Sequence, residues 1–163
     1  MGAMDVAAFV MDDVHYIAVA NQFNDATYEL NSVIYRWNGT AFDHFQDIPT
    51  KGASDWEPFQ IRGEQYLAVA NNRDASGYIV DSVIYKWNGT AFGHFQDIPT
   101  VGARSWAYIE ISGEPFLAVA NFQSAATNYS DNSIVYNWLR DGSGFVPLQE
   151  IPTTGAIAIT TMS

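Results

Sequence analysis

The chain has 163 residues and carries 7 Lys and Arg against 18 Asp and Glu, which gives a formal net charge of −11. So few cations exclude a nucleic-acid partner and disfavour anionic lipid surfaces. No apolar run reaches the roughly 20 residues that membrane insertion as a helix requires. The absence of cysteine excludes disulfides and thiol chemistry, whereas 48% hydrophobic residues are enough for a buried core in one domain.

One sequence pattern occurs three times along the chain. Segments of the form LAVAN lie at 17–21, 67–71 and 117–121, those of the form SVIYRW at 32–37, 82–87 and 133–138, and those of the form FQDIPT at 45–50, 95–100 and 148–153. The interval is about 50 residues, and the third copy has a short insertion at 139–144. Self-similarity at this period is typical of repeat architectures, so we expect one structural unit per copy.

Each copy is expected to contain four strands. In the second copy the stretches 56–61, 65–70, 82–87 and 92–98 are rich in β-branched and aromatic residues and lack helical periodicity. Asn88-Gly89 predicts a two-residue hairpin with positive φ at both positions. Four antiparallel strands in about 50 residues is the size of a propeller blade. The sequence therefore predicts an all-β chain, 1–163, with one domain of three blades at about 5–50, 55–100 and 105–153.

Three blades are fewer than a closed propeller usually has, and an open row would leave sheet edges exposed. Two copies around a two-fold axis would close a six-bladed ring, which favours a homodimer. A fragment of a longer propeller is the alternative. The segment 155–163 aligns with 52–60, so 154–163 is predicted to start a fourth innermost strand or to form a displaced tail.

The segments YLAVAN, IYRWNG and FQDIPTKGA resemble the epilepsy-associated repeat (EAR, also called EPTP) of the leucine-rich glioma-inactivated proteins. The resemblance covers nearly the whole chain, three times. It implies one β-propeller blade per repeat, an extracellular or secreted protein, and protein binding without enzymatic activity.

The same resemblance implies a calcium site. In the family, an acidic residue that opens the innermost strand can bind Ca²⁺ in the central channel, which carries over to Asp5 and Asp55 and fails at Ser105. Carboxylate oxygens suit Ca²⁺, and a dimer would bring four of them to its axis. The alternative is that both acids cap strand entrances and face solvent.

Loops that differ between the copies predict a recognition surface, because aromatic residues there have less structural reason than in a core. The candidate binding residues are Phe23, Tyr28, Arg73, Asp74, Tyr78, Phe122 and Tyr129. Glycosylation sequons occur at Asn38, Asn88 and Asn128. The repeated Tyr and Trp of the SVIYRW segments are instead expected to pack between blades.

Three functions remain open from the sequence. The leading hypothesis is a module that recognises a protein ligand through its loops. The first alternative is a multivalent lectin that binds a glycan, for which Trp56 and Trp106 offer a repeated pocket. The second alternative is a purely structural assembly module. His44 and His94 share one repeat position on an outer strand and are expected to face solvent. No sequence motif of a known catalytic site is present, so we expect no enzymatic activity.

Overall fold

The structure is a computed structural model that describes residues 2–161, and it contains three four-stranded antiparallel sheets. Blade 1 consists of β1 (Gly2–Met11), β2 (Val14–Phe23), β3 (Glu29–Trp37) and β4 (Phe42–Lys51). Blade 2 consists of β5 (Ala53–Ile61), β6 (Glu64–Asn71), β7 (Ser82–Trp87) and β8 (Phe92–Ile98). Blade 3 consists of β9 (Ala103–Ile111), β10 (Glu114–Asn121), β11 (Ser133–Trp138) and β12 (Phe145–Ile151).

Within each sheet the strands lie in chain order. This confirms the predicted all-β fold with three four-stranded blades. Across residues 2–161, no helix is long and apolar enough to cross a membrane. Closure into a six-bladed ring by a second copy stays a prediction.

The blades pack face to face in chain order and bury two apolar clusters. We call the face of a blade that is turned toward the next blade its front face, and the opposite one its back face. The front face of blade 1 packs on the back face of blade 2 through Met11, Tyr16, Ile34, Ile48, Trp56, Leu67, Val69 and Phe92. The front face of blade 2 packs on the back face of blade 3 through Phe59, Tyr66, Ile84, Ile98, Trp106, Leu117, Tyr136 and Trp138.

Strand β6 shows how one strand serves both clusters. Alternate side chains of a strand point to opposite faces, so Leu67 and Val69 face blade 1 whereas Tyr66 and Ala68 face blade 3. All of β6 after Glu64 is buried. The apolar run YLAVAN is therefore the sequence of a strand that is covered on both sides.

A polar network explains the other repeated residues. In blade 2 the Asn71 backbone N–H donates to Ser82 Oγ at 3.1 Å, and Ser82 Oγ lies 2.8 Å from Thr100 Oγ1. Thr100 Oγ1 in turn donates to the Val80 carbonyl at 2.7 Å. These three polar residues are buried, so their hydrogen bonds offset the cost of removing them from water. The network holds the end of the blade from which the long β6–β7 loop leaves.

The hairpin predicted at Asn88-Gly89 is longer than expected. Trp87 pairs with Phe92, so the turn has four residues. Asn88 Oδ1 accepts hydrogen bonds from the N–H groups of Thr90 and Ala91, both at 3.0 Å. Within this turn, only Gly89 has a positive φ, of 101°. The two-residue prediction is wrong because the Asn side chain replaces a backbone acceptor and closes a wider turn.

The end of the described chain has no strand. Residues 154–161 are irregular, so the fourth innermost strand predicted there does not form within them, and Met162 and Ser163 lie outside the described residues. The Gly155 N–H nevertheless donates to the Tyr129 carbonyl at 2.7 Å, as Gly102 does to Tyr78 at 2.6 Å. The chain therefore leaves blade 3 along the same path by which it leaves blade 2.

Candidate functional site

The acidic residues of the innermost strands connect neighbouring blades. Asp5 Oδ2 accepts a hydrogen bond from the Trp56 backbone N–H at 3.2 Å, and Asp55 Oδ2 accepts one from the Trp106 N–H at 2.6 Å. A β-bulge precedes each acid, between Ala3 and Asp5 and between Ala53 and Asp55. Bulges redirect the following side chain. Both acids thus bind the next blade, which neither the calcium hypothesis nor the strand-cap alternative anticipated.

Glu57 makes a third bond of this kind, which the sequence analysis missed. Its Oε1 accepts from the Tyr108 N–H at 2.8 Å. Burial raises the pKa of Glu57, the Tyr108 hydrogen bond opposes this, and the charge of Asp5 adds to the rise. Its two-residue spacing from Asp55 on one strand was the available signal, because such residues share a face.

We call Asp5, Asp55 and Glu57, which lie on the innermost strands β1 and β5, the acidic rim. The pKa of Asp55 is the one raised most strongly. Burial is the largest cause and raises the pKa of Asp55 to about 7, while its hydrogen bond from Trp106 opposes the rise. The carboxyl groups of Asp5 and Glu57 raise the pKa further. Negative charges held close together in a partly buried site raise the free energy of the folded state. A bound proton or cation would therefore stabilise the rim.

Calcium at this rim stays a prediction. The structure brings Asp5 and Asp55 together, because the charge of Asp5 contributes to the raised pKa of Asp55. Within residues 2–161, however, no three or more His, Asp or Glu side chains are arranged to hold a metal ion. The predicted site would need the additional carboxylates of a second copy.

Glutamine side chains form a second set of inter-blade bonds, which we call the glutamine clamps, Gln46 and Gln96. Gln46 donates to the Phe92 carbonyl at 2.8 Å and accepts from the Phe92 N–H at 2.9 Å. Gln96 bonds in the same way to both backbone groups of Phe145, each at 2.8 Å. Each clamp bonds to a backbone N–H and carbonyl at the free edge of the next blade's outer strand. The sequence analysis missed them, although this Gln recurs in every FQDIPT segment.

Four of the predicted loop residues form one stack across blades 1 and 2. Phe23 stacks on Tyr28 with ring centroids 4.5 Å apart. The Arg73 guanidinium lies 4.3 Å from the Tyr28 ring centroid and 4.7 Å from that of Tyr78. Arg73 also donates to the Tyr78 hydroxyl at 3.1 Å. We call these four residues the loop stack. Such cation–π contacts fix an arginine between two rings.

The remaining loop residues lie outside this stack. Phe122 contacts Tyr129 with centroids 5.2 Å apart, and Arg104, which the sequence analysis missed, lies 4.7 Å over Phe122. Burial lowers the pKa of Arg104. Asp74 forms an ion pair with Lys51 at 3.2 Å. Two separate clusters of contacts therefore hold six of the seven predicted residues, and Asp74 is held by its ion pair with Lys51.

Three of the loop aromatics are also structural. Tyr28, Tyr78 and Tyr129 occupy one repeat position, and the carbonyl of each accepts the N–H of a glycine that follows its blade. The expectation that these loops differ between copies is wrong at this position. A 50-residue shift matches Tyr28 to Tyr78, but the third loop has one extra residue, so Tyr129 lies 51 residues after Tyr78 and the match is missed without a gap.

The tryptophans offered as a sugar pocket are not accessible. Trp56 is 2% exposed and Trp106 is 3% exposed, so neither ring can stack on a glycan, and this support for a lectin is wrong. Trp87 and Trp138 pack between blades as expected, against Phe45 and Phe95 respectively.

The sequons lie on exposed turns. Asn38 and Asn88 begin the β3–β4 and β7–β8 turns, and Asn128 lies in the β10–β11 loop. The Asn38 amide donates to Asp43 at 2.8 Å and that of Asn128 to Ser124 at 2.6 Å. His44 and His94 lie on exposed positions of the outer strands β4 and β8, as predicted. His44 and His94 contact Asp47 and Asp97 respectively, at 3.0 and 2.8 Å.

Comparison with known proteins identifies the repeat. The EPTP domain family matches residues 1–38, 41–88 and 91–139. The chain belongs to the EPTP family. Each EPTP match ends just after the third strand of a blade. The second and third matches therefore span the outer strand of one blade and three strands of the next, whereas the first match lies within blade 1.

Two curated relatives contain the same repeat. Proteins named "Thrombospondin-type laminin G domain and EAR repeat-containing protein" are 41% identical in Mus musculus and 40% identical in Homo sapiens, over 58 residues. This match covers 35% of the EPTP chain and 9% of each relative. The match thus spans about a tenth of the length of these relatives.

Solved structures with the same architecture are glycoside hydrolases. The GH43_1 enzyme from Xanthomonas citri in complex with xylose has a TM-score of 0.63 at 14% identity, covering 94% of the EPTP chain and 59% of that chain. Its xylotriose complex has a TM-score of 0.60 at 13% identity, covering 94% and 58%. At this identity the likeness shows the fold alone.

Proposed function

We propose that this EPTP chain is a non-enzymatic extracellular module that binds a protein partner through its long loops. The loop stack carries the proposal, because it places an arginine between two tyrosines on a rigid scaffold. Tyr and Arg are enriched in the energetically dominant centres of protein interfaces. The extracellular setting is supported by the names of the relatives, which combine EAR repeats with a laminin G domain.

Charge supports a protein partner over a nucleic acid or a lipid surface. The chain has only 7 Lys and Arg, and two of them, Arg73 and Arg104, lie against loop aromatics. Arg73 in a loop and Arg104 at the start of β9 thus place two cations beside the loop aromatics of an otherwise acidic protein. A partner segment that combines carboxylates with apolar side chains would match this surface.

The absence of enzymatic activity is part of the proposal. The rim carboxylates Asp5, Asp55 and Glu57 all accept backbone N–H groups of the next blade, which is a structural use. We expect no hydrolysis of xylotriose by the purified chain. Release of xylose that Asp55→Asn abolishes would contradict this part of the proposal.

Binding is tested by screening the purified chain against an array of secreted and cell-surface proteins and, in parallel, a glycan array. For any protein bound saturably, Arg73→Ala and Tyr129→Ser are expected to weaken binding by about tenfold or more, the loss of about 1.4 kcal/mol. The matched control is Arg140→Ala, whose exposed side chain lies in the β11–β12 turn at the other end of blade 3.

The result that would overturn the proposal is equally specific. A defined glycan bound at several sites, with no protein bound, would favour the lectin alternative. Equal affinity of Arg73→Ala, Tyr129→Ser and Arg140→Ala for a bound protein would place its site elsewhere.

A further inference from the structure

Two apolar faces lie uncovered at the two ends of the row of blades. On the back face of blade 1, Trp37 is 37% exposed and borders a groove of ≈ 340 Å³ with Ile17 and Phe42. On the front face of blade 3, Ile111 and Leu148 are each 57% exposed. Their equivalents in blade 2 are buried or half-buried between blades. Exposed apolar faces of this kind mark interaction surfaces.

The two end faces are complementary because of the repeat. Leu148 occupies the position of Phe45 and Phe95. Those rings lie 6.0 Å from Trp87 and 5.7 Å from Trp138, the tryptophans of the following blades. Trp37 is the equivalent tryptophan of blade 1. Leu148 of one copy is therefore the side chain that repeat geometry places against Trp37 of another.

The glutamine clamps show the same complementarity between the two end faces. Gln149 occupies the position of Gln46 and Gln96, and Phe42 that of Phe92 and Phe145. Within residues 2–161, the side chain of Gln149 makes no hydrogen bond and no side chain bonds to the Phe42 backbone. Both halves of a third clamp are thus present, one at each end of the chain.

Two further inter-blade bonds repeat this relationship. Tyr85 and Tyr136 donate their hydroxyls to the carbonyls of Pro49 and Pro99, at 3.4 and 3.5 Å. At the ends, the corresponding groups are the Tyr35 hydroxyl and the Pro152 carbonyl. The Lys51 and Val101 N–H groups donate to Oδ1 of Asn71 and Asn121, at 3.0 and 3.1 Å. The corresponding end groups are the Thr154 N–H and Asn21 Oδ1.

We propose that a second copy of this chain docks head to tail, with its blade 3 front face on the blade 1 back face, and that two copies close a ring. A second copy is the occupant because this chain carries both halves of every contact named above. Closed assemblies with two-fold symmetry satisfy both faces of each copy at once. The inference does not depend on the loop surface or on the proposed partner.

The new interface lacks one component of the internal ones. Ser105 and Ala107 replace Asp55 and Glu57 in blade 3, so the carboxylate bonds of the inner rim cannot form there. The association is therefore weaker than the contact between covalently linked blades, and it depends on concentration.

The test compares masses in solution for the full chain and for one variant at each end. Wild type is expected to form a species of twice 18.1 kDa. Trp37→Glu and Leu148→Glu are each expected to sediment as single chains, because a charge then enters the interface. The matched control is Ile79→Glu, at an apolar loop residue that is 76% exposed and away from both end faces, and it should keep the wild-type mass.

Mixing the two end variants identifies the mode of docking. A mixture of Trp37→Glu and Leu148→Glu retains one intact pair of faces, so two-chain particles are expected to reappear. If one variant alone still forms pairs, the copies join through identical faces and the head-to-tail proposal is wrong. A single-chain mass for wild type at every concentration, or an open series of larger masses, also overturns it.

Circular dichroism and the melting transition separate loss of association from loss of folding. If either glutamate variant fails to fold, Gln149→Ala replaces it, since its side chain makes no bond within residues 2–161. It is expected to weaken pairing by about tenfold, and unchanged pairing would contradict the clamp.

Discussion

The Asp55 carboxylate accepts the Trp106 backbone N–H at 2.6 Å, across the boundary between blades 2 and 3. One hydrogen bond thus connects an acidic rim residue to the next innermost strand, and the same bond recurs from Asp5 to Trp56. The same carboxylates therefore carry both the charge repulsion of the rim and the hydrogen bonds that join neighbouring blades.

The first prediction concerns pH and Asp55. Its pKa is raised from 3.8 to about 7 in the folded protein, so between these values the folded state holds a proton that the unfolded state lacks. Linkage then lowers the free energy of unfolding as pH rises through this window, by a few kcal/mol at most. Asp55→Asn keeps an oxygen acceptor for Trp106 and removes the charge, so it should flatten this decline. Urea unfolding from pH 4 to 8 measures it.

Asp13→Asn is the control for this experiment, because Asp13 is exposed on the β1–β2 turn and has a positive φ that Asn tolerates. Its unfolding profile should follow wild type. If Asp55→Asn also follows wild type across the whole range, then Asp55 is not the titrating group and the electrostatic explanation fails.

The second prediction concerns the glutamine clamps. Gln96→Ala leaves the N–H and carbonyl of Phe145 without partners at a half-buried blade boundary, which costs about 1–3 kcal/mol of unfolding free energy. Gln149→Ala, at the same repeat position, should change the free energy of unfolding by less than about 0.5 kcal/mol when the chain is dilute. Equal effects of the two substitutions in dilute chemical denaturation would contradict the role assigned to Gln96.

The third prediction separates backbone strain from blade contact. Gly63 and Gly102 both have positive φ, of 81° and 57°. A Cβ at Gly63 meets nothing within 4 Å, whereas one at Gly102 would clash with the Gln123 carbonyl oxygen. Gly63→Ala should cost about 1 kcal/mol from strain. Gly102→Ala should cost several times more in thermal unfolding, and a cost no larger than that of Gly63→Ala would show that the blades do not approach so closely.

The fourth prediction concerns calcium. A cation would relieve the repulsion between Asp5 and Asp55, so adding Ca²⁺ should raise the melting temperature of wild type and a chelator should reverse this. Ligand at 100 times its Kd contributes about 2.7 kcal/mol. Calorimetry with Asp55→Ala and Asp13→Asn gives the comparison. If Ca²⁺ and the chelator both leave the wild-type melting temperature unchanged, the rim does not bind calcium.

The repeat made most of the fold predictable from sequence. A 50-residue period, together with runs such as YLAVAN, is sufficient to place four strands in each copy, because doubly covered strands are continuously apolar. The juxtaposition of Asp5 and Asp55 follows from one repeat position on two adjacent innermost strands. Residues at equivalent positions of neighbouring blades are close when they lie near the axis.

Contacts between blades were less predictable. Gln46 and Phe92 are 46 residues apart, and nothing local in either segment indicates their bond. The faces of Trp56 and Trp106 were also ambiguous, because strand alternation separates two faces without showing which is covered. The turn at Asn88 differed from the predicted two-residue hairpin because the Asn88 side chain competes with backbone carbonyls for N–H groups. A rule based on the Asn-Gly dipeptide does not include this competition.

The most direct test of the inter-blade bonds is amide hydrogen exchange at three equivalent residues, measured by NMR as the chain concentration is raised. Phe92 and Phe145, held by Gln46 and Gln96, should exchange slowly at every concentration. Phe42 should exchange fast in the dilute chain and slowly once a second copy supplies Gln149. A Phe42 amide that stays fast while the mass doubles, or Phe92 and Phe145 amides as fast as that of Phe42, would contradict this description of how the blades join.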